Sequence, residues 1–260
     1  MSDRFEICHA ITAKWEGGWS NHKADPGGAT MYGVTQAVYD KWRKKRGQKT
    51  QSVRNITKAE ALIIYKENYW NACGAPELFP GVDLAVYDAS VNSGVSRGRK
   101  WLLAAVGSND HSATVKKICR ARLSFVQSLK IWKDFGKGWG RRIADIEVKG
   151  VAMALAAMGA TKGVVQMEAR KEAAAAEKAA ANAKTAAKTT GTAAAGSAAA
   201  PTVDTTKDRA VPIDVTTIDT TSLWIFGTIA AAALVVTVFL IIRSRAAKER
   251  EAAYLELVKA

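Results

Sequence analysis

The large apolar and aromatic side chains are concentrated in the first 150 residues, and this uneven distribution most constrains the fold. Residues 1–150 contain seven of the eight Trp, five of the six Tyr, four of the six Phe and all three Cys. A region of that size with that content can bury a hydrophobic core. The rest of the 260-residue chain contains few residues that could pack a second core. We therefore expect one folded region followed by segments of another kind.

Two segments of biased composition follow the folded region. Residues 168–200 are dominated by Ala with scattered Lys and Glu, and residues 201–222 are rich in Thr, Asp and Val. The first composition is typical of a helical or frayed spacer, and the second of a disordered linker. We therefore assign residues 166–222 to a spacer and linker.

An uncharged apolar segment, LWIFGTIAAAALVVTVFLII, covers residues 223–242. Its length matches the roughly 20 residues that a helix needs to cross a bilayer. It predicts a transmembrane helix, with a buried helix of a soluble protein as the alternative. Basic residues dominate the tail 243–260 next to this segment, so the positive-inside rule places the tail in the cytoplasm. The beginning of the chain has no apolar h-region typical of a signal peptide.

The charge of the chain favours an anionic partner. The formal net charge is +14, and residues 1–150 contain 25 basic against 14 acidic residues, which leaves +11 on the folded part. Nucleic acid, acidic lipid and the phosphate-bearing bacterial envelope all meet that description. Cys8, Cys73 and Cys119 are far apart in sequence, which favours buried thiols over a metal site or a disulfide framework.

Helical periodicity dominates the folded part, so the predicted fold class is mainly α. Thr57 and Glu60 have the spacing of a capping box before an apolar run. Strand-like alternation is limited to a short hairpin around residues 29–34. The predicted helices cover residues 3–15, 34–45, 57–70, 82–92, 97–106, 112–131 and 138–158.

A Gly-rich loop, WEGGWSNHKADPGGATMYGVT at residues 15–35, contains two carboxylates in different settings. We expect Glu16 in the last turn of the first helix, where the helix carbonyls and neighbouring Trp side chains favour its protonated form. Asp25 lies in a polar turn that would keep it ionised. A protonated and an ionised carboxyl group are what glycoside hydrolysis requires, and Thr30 could hold the attacking water.

Each of these loop residues also has an ordinary interpretation. A glutamate near a helix end is usually a solvated surface residue, and Asp-Pro-Gly-Gly is by itself a common turn. His22, close to the motif, is interpreted as a solvated loop residue. The joint occurrence of the features favours catalysis.

The loop resembles the signature of glycoside hydrolase family 108, a bacterial and phage group of N-acetylmuramidases with a lysozyme-like helical fold. Residues 84–107 are similar to the second characteristic block of that family. The stretch RLSFVQSLKIWKDFGKGWGRRI resembles the peptidoglycan-binding-3 region that commonly follows it, and the likeness covers about residues 3–165. The matching loop residues are Glu16-Gly17-Gly18-Trp19, Asp25, Gly27-Gly28, Thr30 and Tyr32-Gly33-Val34-Thr35.

The resemblance implies that Glu16 is the catalytic proton donor. It also implies roles for Asp25 and Thr30 in orienting water or stabilising a sugar cation, although Thr30 follows Asp25 by five positions where phage-type lysozymes have six. No metal or organic cofactor is implied. The predicted substrate-binding residues are Trp19, Tyr32, Asp88 and Asn92, the last two alternatively forming a buried hydrogen-bonded pair.

The expected protein is a membrane-tethered phage or prophage endolysin that cleaves peptidoglycan. Its predicted setting is the bacterial inner membrane, crossed once, with the catalytic domain facing the periplasm and a holin or other lysis protein as partner. A non-catalytic peptidoglycan-binding or secretion-accessory protein is the alternative. A nucleic-acid binder would leave the Glu-Gly-Gly loop unexplained. The predicted divisions are a lysozyme-like catalytic domain (1–107), a peptidoglycan-binding-like region (108–165), the spacer and linker (166–222), the transmembrane helix (223–242) and the tail (243–260).

Overall fold

The computed structural model describes residues 3–20, 28–198 and 220–259. The chain divides into two compact units. The first extends to Ala169 and includes the end of the chain from Glu256, and the second covers Arg170–Leu255. Both the predicted catalytic and peptidoglycan-binding-like regions lie in the first unit.

The first unit is helical apart from one short hairpin among its described residues, which confirms the prediction of a mainly α fold. A π-helical turn, Lys66–Asn71, continues α3, and single 3₁₀ turns lie at Val53–Asn55 and Ala75–Glu77. The antiparallel hairpin pairs β1 with β2 in the register Thr30 opposite Thr35. In order, the elements are α1 (Arg4–Ala13), β1 (Thr30–Met31), β2 (Val34–Thr35), α2 (Gln36–Lys45), α3 (Lys58–Tyr65), α4 (Val82–Ser93), α5 (Val95–Ala105), α6 (His111–Gln127) and α7 (Trp132–Ala157).

Side-chain caps set the beginnings of the first helices. The Asp3 side chain accepts a hydrogen bond from the backbone N–H of Phe5 at the start of α1. At α3 the Thr57 hydroxyl accepts from the Glu60 N–H, and the Glu60 carboxylate accepts from the Thr57 N–H. This reciprocal arrangement is the capping box that the sequence predicts.

Helix α7 begins at Trp132, six residues earlier than the sequence predicts. Three glycines at 136, 138 and 140 weaken the helical propensity of this stretch. The Trp132 indole lies against the helix, since a Cβ placed on Gly136 would be 2.5 Å from the Trp132 Cε2 atom. This contact between residues one turn apart in α7 favours the helical conformation despite the poor propensity of the segment.

Helix α4 is the centre of the core. Its residues from Val82 to Ser90 are all buried, and the helix contacts α1, α5, α6 and α7. Gly81, before the helix, has a φ of +87°, and a Cβ there would lie 2.1 Å from the Gly150 carbonyl oxygen of α7. The three cysteines are buried free thiols, as predicted.

In the second unit, the Ala-rich spacer is helical. Helix α8 (Lys162–Ala198) contacts α9 (Thr220–Lys259) through polar side chains. The Ser244 hydroxyl donates a 3.0 Å hydrogen bond to the Ala180 carbonyl, and Arg250 pairs with Glu172. Residues 199–219, which contain most of the predicted linker, lie outside the described residues.

The prediction of a single-pass inner-membrane protein is wrong. Across the described residues, the structure contains no helix with the length and apolar character that spanning a bilayer requires.

Candidate active site

Glu16 lies in the turn that follows α1, three residues beyond the last helical residue, Ala13. The prediction that it occupies the last helical turn is therefore wrong. Its backbone N–H donates to the Ala13 carbonyl at 3.2 Å, which extends the turn. The side chain is 23% exposed, so the carboxyl group lies at the edge of the interior and within reach of solvent.

The contact that distinguishes Glu16 is an ion pair with Arg142 of α7. The Arg142 Nη1 atom is 2.8 Å from Glu16 Oε1, and the arginine side chain is only 6% exposed. Nearby, the Trp15 indole N–H donates a 3.0 Å hydrogen bond to Asp145, also on α7. Apolar surroundings were expected for Glu16, whereas the structure gives it a cation.

Asp88 holds the other edge of the same guanidinium group. Arg142 donates to the Asp88 carboxylate through Nε at 3.1 Å and through Nη2 at 2.9 Å. Arg122 Nη1 of α6 is 2.5 Å from Asp88 Oδ2, and Arg122 Nη2 donates to Asn92 Oδ1 at 3.0 Å. Asp88 is fully buried. Burial alone would raise the pKa of Asp88, but the charges of Arg122 and Arg142 outweigh it and lower that pKa.

This position makes Asp88 a support for Arg142, with no surface open to a ligand in the structure. Asn92 is partly exposed and combines a bond to Arg122 with a place in a neighbouring pocket. The alternative interpretation of this pair, as buried hydrogen-bonding residues, describes Asp88 well. A substrate contact by Asn92 stays a prediction.

The charge of Glu16 acts on three tyrosines, which carry no charge at neutral pH. Burial is the main reason that the pKa of Tyr65, Tyr69 and Tyr87 is raised, and the Glu16 charge comes second for Tyr65 and Tyr69 and is a minor cause for Tyr87. The Tyr87 hydroxyl lies 2.7 Å from Nδ1 of His9, whose pKa is lowered by burial. Arg142 is thus the cation on this side of Glu16, with neutral phenols around it.

The turn between β1 and β2 lies over Glu16 and requires glycine. Gly33 has a φ of +74°, and a Cβ on it would be 2.1 Å from the Tyr65 hydroxyl oxygen and 3.1 Å from Glu16 Oε2. Tyr32 also has a positive φ, +50°, and its carbonyl accepts a 3.1 Å hydrogen bond from the Tyr65 hydroxyl. Non-glycine residues rarely adopt this conformation, and strain of this kind is concentrated at functional sites.

The remaining loop residues differ in how far the structure describes them. Trp19 is 41% exposed, and the Arg54 guanidinium group lies 5.3 Å from its ring centroid. The Thr30 hydroxyl donates to the Gly28 carbonyl at 3.1 Å. Asp25 and His22 lie outside the described residues.

A pocket of about 380 Å³ opens near the C-terminal end of α4. Arg97 lies over the Phe125 ring at 4.7 Å on its wall. Within the ranges that the structure describes, His, Cys, Asp and Glu side chains form no group suited to holding a metal ion. The pocket is lined by Asn92, Ser93, Arg97, Phe125, Val126, Leu129 and Trp139.

Sequence reasoning missed Arg142. The available signal was the pair Arg141-Arg142 in an otherwise apolar helical pattern, because an arginine on a buried face needs an anionic partner. Which anion it meets depends on the packing of α7 against α4 and the turn after α1.

Comparisons with known proteins identify a family for the segment that contains Glu16. The sequence model described as Glycosyl hydrolase 108 matches residues 9–94, a segment that contains Glu16, the hairpin and Asp88. A solved structure, "Structure of Brucella abortus SagA", is 31% identical, with a TM-score of 0.50 over 58% of this chain and 95% of that chain. None of the curated proteins matches this chain. The prediction of a glycoside hydrolase is confirmed at that level, and the chain belongs to glycosyl hydrolase family 108.

Proposed function

We propose that this glycoside hydrolase cleaves peptidoglycan, at the bond between N-acetylmuramic acid and N-acetylglucosamine. The observation that carries the proposal is the Glu16 carboxyl group, which is partly exposed while Arg142 holds one of its oxygens. A carboxyl group at the edge of the interior can reach a glycosidic oxygen and still have a fixed direction. The net charge of +14 favours an anionic polymer such as murein.

In this proposal Glu16 donates a proton to the departing sugar oxygen. Asp25 and Thr30 orient the attacking water or stabilise the positive charge that develops on the sugar. Trp19, with its exposed ring, and Tyr32 stack on sugar faces.

Aromatic side chains of α7 support a role for residues 108–165 in holding the glycan. Phe135 is 57% exposed and stacks on Trp139, with ring centroids 5.7 Å apart. Trp139 also lines the pocket that contains Asn92. Flat aromatic faces beside amide and guanidinium groups suit sugar rings, which present both C–H faces and hydroxyl edges.

The test is the chemistry of the products. The full chain is incubated with purified murein sacculi, the new reducing ends are reduced with borohydride, and the fragments are analysed by mass spectrometry. We expect ends derived from N-acetylmuramic acid. Glu16→Gln should abolish them, and the matched control Glu6→Gln, on the exposed face of α1, should keep them. Ends derived from N-acetylglucosamine would contradict the proposed bond specificity.

The second candidate is non-catalytic binding of glycan strands. The observation that favours it is the ion pair between Glu16 and Arg142, because a contact of this kind can also serve a purely structural role. A binding protein would sediment with sacculi and release no reducing ends. For the first candidate, peptidoglycan cleavage, we propose that the protein acts as an endolysin with a holin as partner.

A further inference from the structure

Arg142 uses its two edges for two different carboxyl groups. Nε and Nη2 contact Asp88, and Nη1 contacts Glu16 at 2.8 Å. A guanidinium group is planar and rigid, so fixing one edge fixes the direction of the remaining N–H bonds. The contact with Asp88 therefore determines where Nη1 points.

Asp88 is itself held firmly. It is fully buried in α4 and is bonded to Arg122 of α6 as well as to Arg142 of α7. Burial alone would lower the pKa of Arg142, but the charges of Asp88 and Glu16 outweigh it and raise that pKa, so the cation persists. Three helices thus cooperate to aim one N–H group at Glu16.

The two oxygens of Glu16 lie in different surroundings. Oε1 accepts the Arg142 contact, and Oε2 lies toward Gly33, 3.1 Å from a Cβ placed on that residue. A protonated carboxyl group still accepts a hydrogen bond through its carbonyl oxygen while the other oxygen carries the proton. The Arg142 contact is therefore compatible with a proton on Oε2.

We propose that Arg142 is a positioning residue of the active site, which holds Oε1 so that Oε2 carries the transferable proton. The inference rests on the proposed function. As the Oε2–H bond breaks, that proton bonds to the glycosidic oxygen, whose bond to the anomeric carbon breaks. The hydroxyl of a water molecule then bonds to that carbon, and the second proton of the water passes to a carboxylate. Arg142 stabilises the Glu16 carboxylate that remains after the first transfer.

The groups that interact with Glu16 from the packed elements are Arg142, which contacts it, and three tyrosines whose pKa its charge helps to raise. Tyr65 and Tyr69 follow one another on α3 and its π-helical extension, and Tyr87 lies on α4. Their raised pKa values keep all three neutral over the range in which a lysozyme-like enzyme is assayed.

A consequence concerns the extent of the catalytic unit. The family match ends at residue 94, and Arg142 lies beyond it in α7. Helix α7 belongs to the same compact unit as Glu16. The catalytic unit of this chain therefore includes a helix that the family match does not cover.

The experiment measures kcat and KM on solubilised murein fragments between pH 4 and pH 9 for four full-length proteins. They are wild type, Arg142→Gln, Arg142→Lys and the control Arg141→Gln, which changes the adjacent exposed arginine. For Arg142→Gln we expect kcat to fall about 100-fold, because the Glu16 carboxyl group loses the contact that fixes its direction. Arg142→Lys should also lose kcat, because one ammonium group cannot reproduce both edges of the guanidinium group. KM should change little in either variant.

The outcomes separate this inference from the proposed function. If wild type releases no reducing ends, the proposed function fails. If wild type is active and both Arg142 variants match Arg141→Gln in kcat and pH profile, the positioning role is wrong while the proposed function stands. Should Arg142→Gln not fold, Arg142→Lys decides, since full activity with lysine would overturn the role of the two-edged contact.

Discussion

Asp88 and Glu16 bind the same guanidinium group from two regions of the molecule that differ in exposure. Asp88 lies inside the packing of α4, α6 and α7, with no exposed surface and a second arginine beside it. Glu16 lies in the turn after α1, partly exposed, with one arginine contact. The Nε and Nη2 atoms of Arg142 therefore contact a buried carboxylate, which we call the interior end. Its Nη1 atom contacts a partly exposed one, which we call the outer end.

This difference shows how a chemically reactive carboxyl group can be held in place without being buried. A buried carboxylate with two cations loses a large amount of interaction energy when it is neutralised, because two buried cations lose their partner. A carboxylate at the surface loses much less, since water replaces part of the contact. Replacing Asp88 by its amide should therefore lower the free energy of unfolding much more than replacing Glu16 by its amide.

The largest effect is expected at the interior end. Asp88→Asn leaves Arg122 and Arg142 without their shared anion, and should lower the free energy of unfolding by about 3 to 5 kcal/mol. Chemical denaturation at pH 7 measures it. The control Asp134→Asn, at an exposed position of α7, should cost no more than about 1 kcal/mol. Equal losses at both positions would remove the distinction between buried and exposed carboxylates.

The hairpin turn should give the next largest effect. Gly33→Ala places a Cβ against the Tyr65 hydroxyl at a positive φ, and should cost about 1 to 3 kcal/mol in unfolding free energy. Gly18→Ala, where the added Cβ meets open space, is the matched control and should change stability by less than about 0.5 kcal/mol. Adding Tyr65→Phe to Gly33→Ala removes the clashing oxygen and should restore part of the loss. No recovery in the double variant would show that the clash is not the cause.

A smaller effect is expected at the outer end of Arg142. Glu16→Gln should lower the free energy of unfolding by less than about 1 kcal/mol, because Arg142 keeps Asp88 and the amide oxygen of Gln can still accept a hydrogen bond. The same denaturation assay, run beside Asp88→Asn, gives the comparison directly. A loss as large as that of Asp88→Asn would mean that Glu16 is mainly a structural ion-pair partner.

The smallest effect concerns pH. Burial lowers the pKa of His9 below its ordinary value of 6.5, so the unfolded chain binds a proton that the folded protein resists. The contribution of His9 to stability is therefore fully present above about pH 6.5 and is lost as the pH falls toward the lower folded pKa. Between pH 7 and pH 5, the free energy of unfolding should decrease less for His9→Gln than for wild type, as measured by chemical denaturation at both pH values. Identical decreases would assign the pH dependence to other groups.

Local features of the fold follow from the sequence, and contacts across the chain do not. Thr57 and Glu60 are three residues apart, so their capping box is visible in the sequence and is present in the structure. The beginning of α7 was misplaced by six residues, since the helix starts at Trp132, whose ring lies against Gly136.

The candidate site shows the same division. Glu16 stands out through its glycines and its likeness to a family motif, but its partner Arg142 lies in another helix far along the chain. We expected surroundings that favour a protonated Glu16 because we placed it in the last turn of the first helix. That helix ends three residues earlier, at Ala13. The apolar segment at 223–242 has the composition of a spanning helix, yet no described helix meets the requirement for one.

The central claim is that the Glu16 carboxyl group delivers the proton that breaks the glycan strand. The most direct measurement is the initial rate of reducing-end release from murein sacculi by wild type and Glu16→Gln at equal sacculus binding, with circular dichroism to confirm the fold. We predict that Glu16→Gln binds as wild type does and loses about 100-fold or more in rate. A folded Glu16→Gln protein that keeps more than about a tenth of the wild-type rate would contradict the claim.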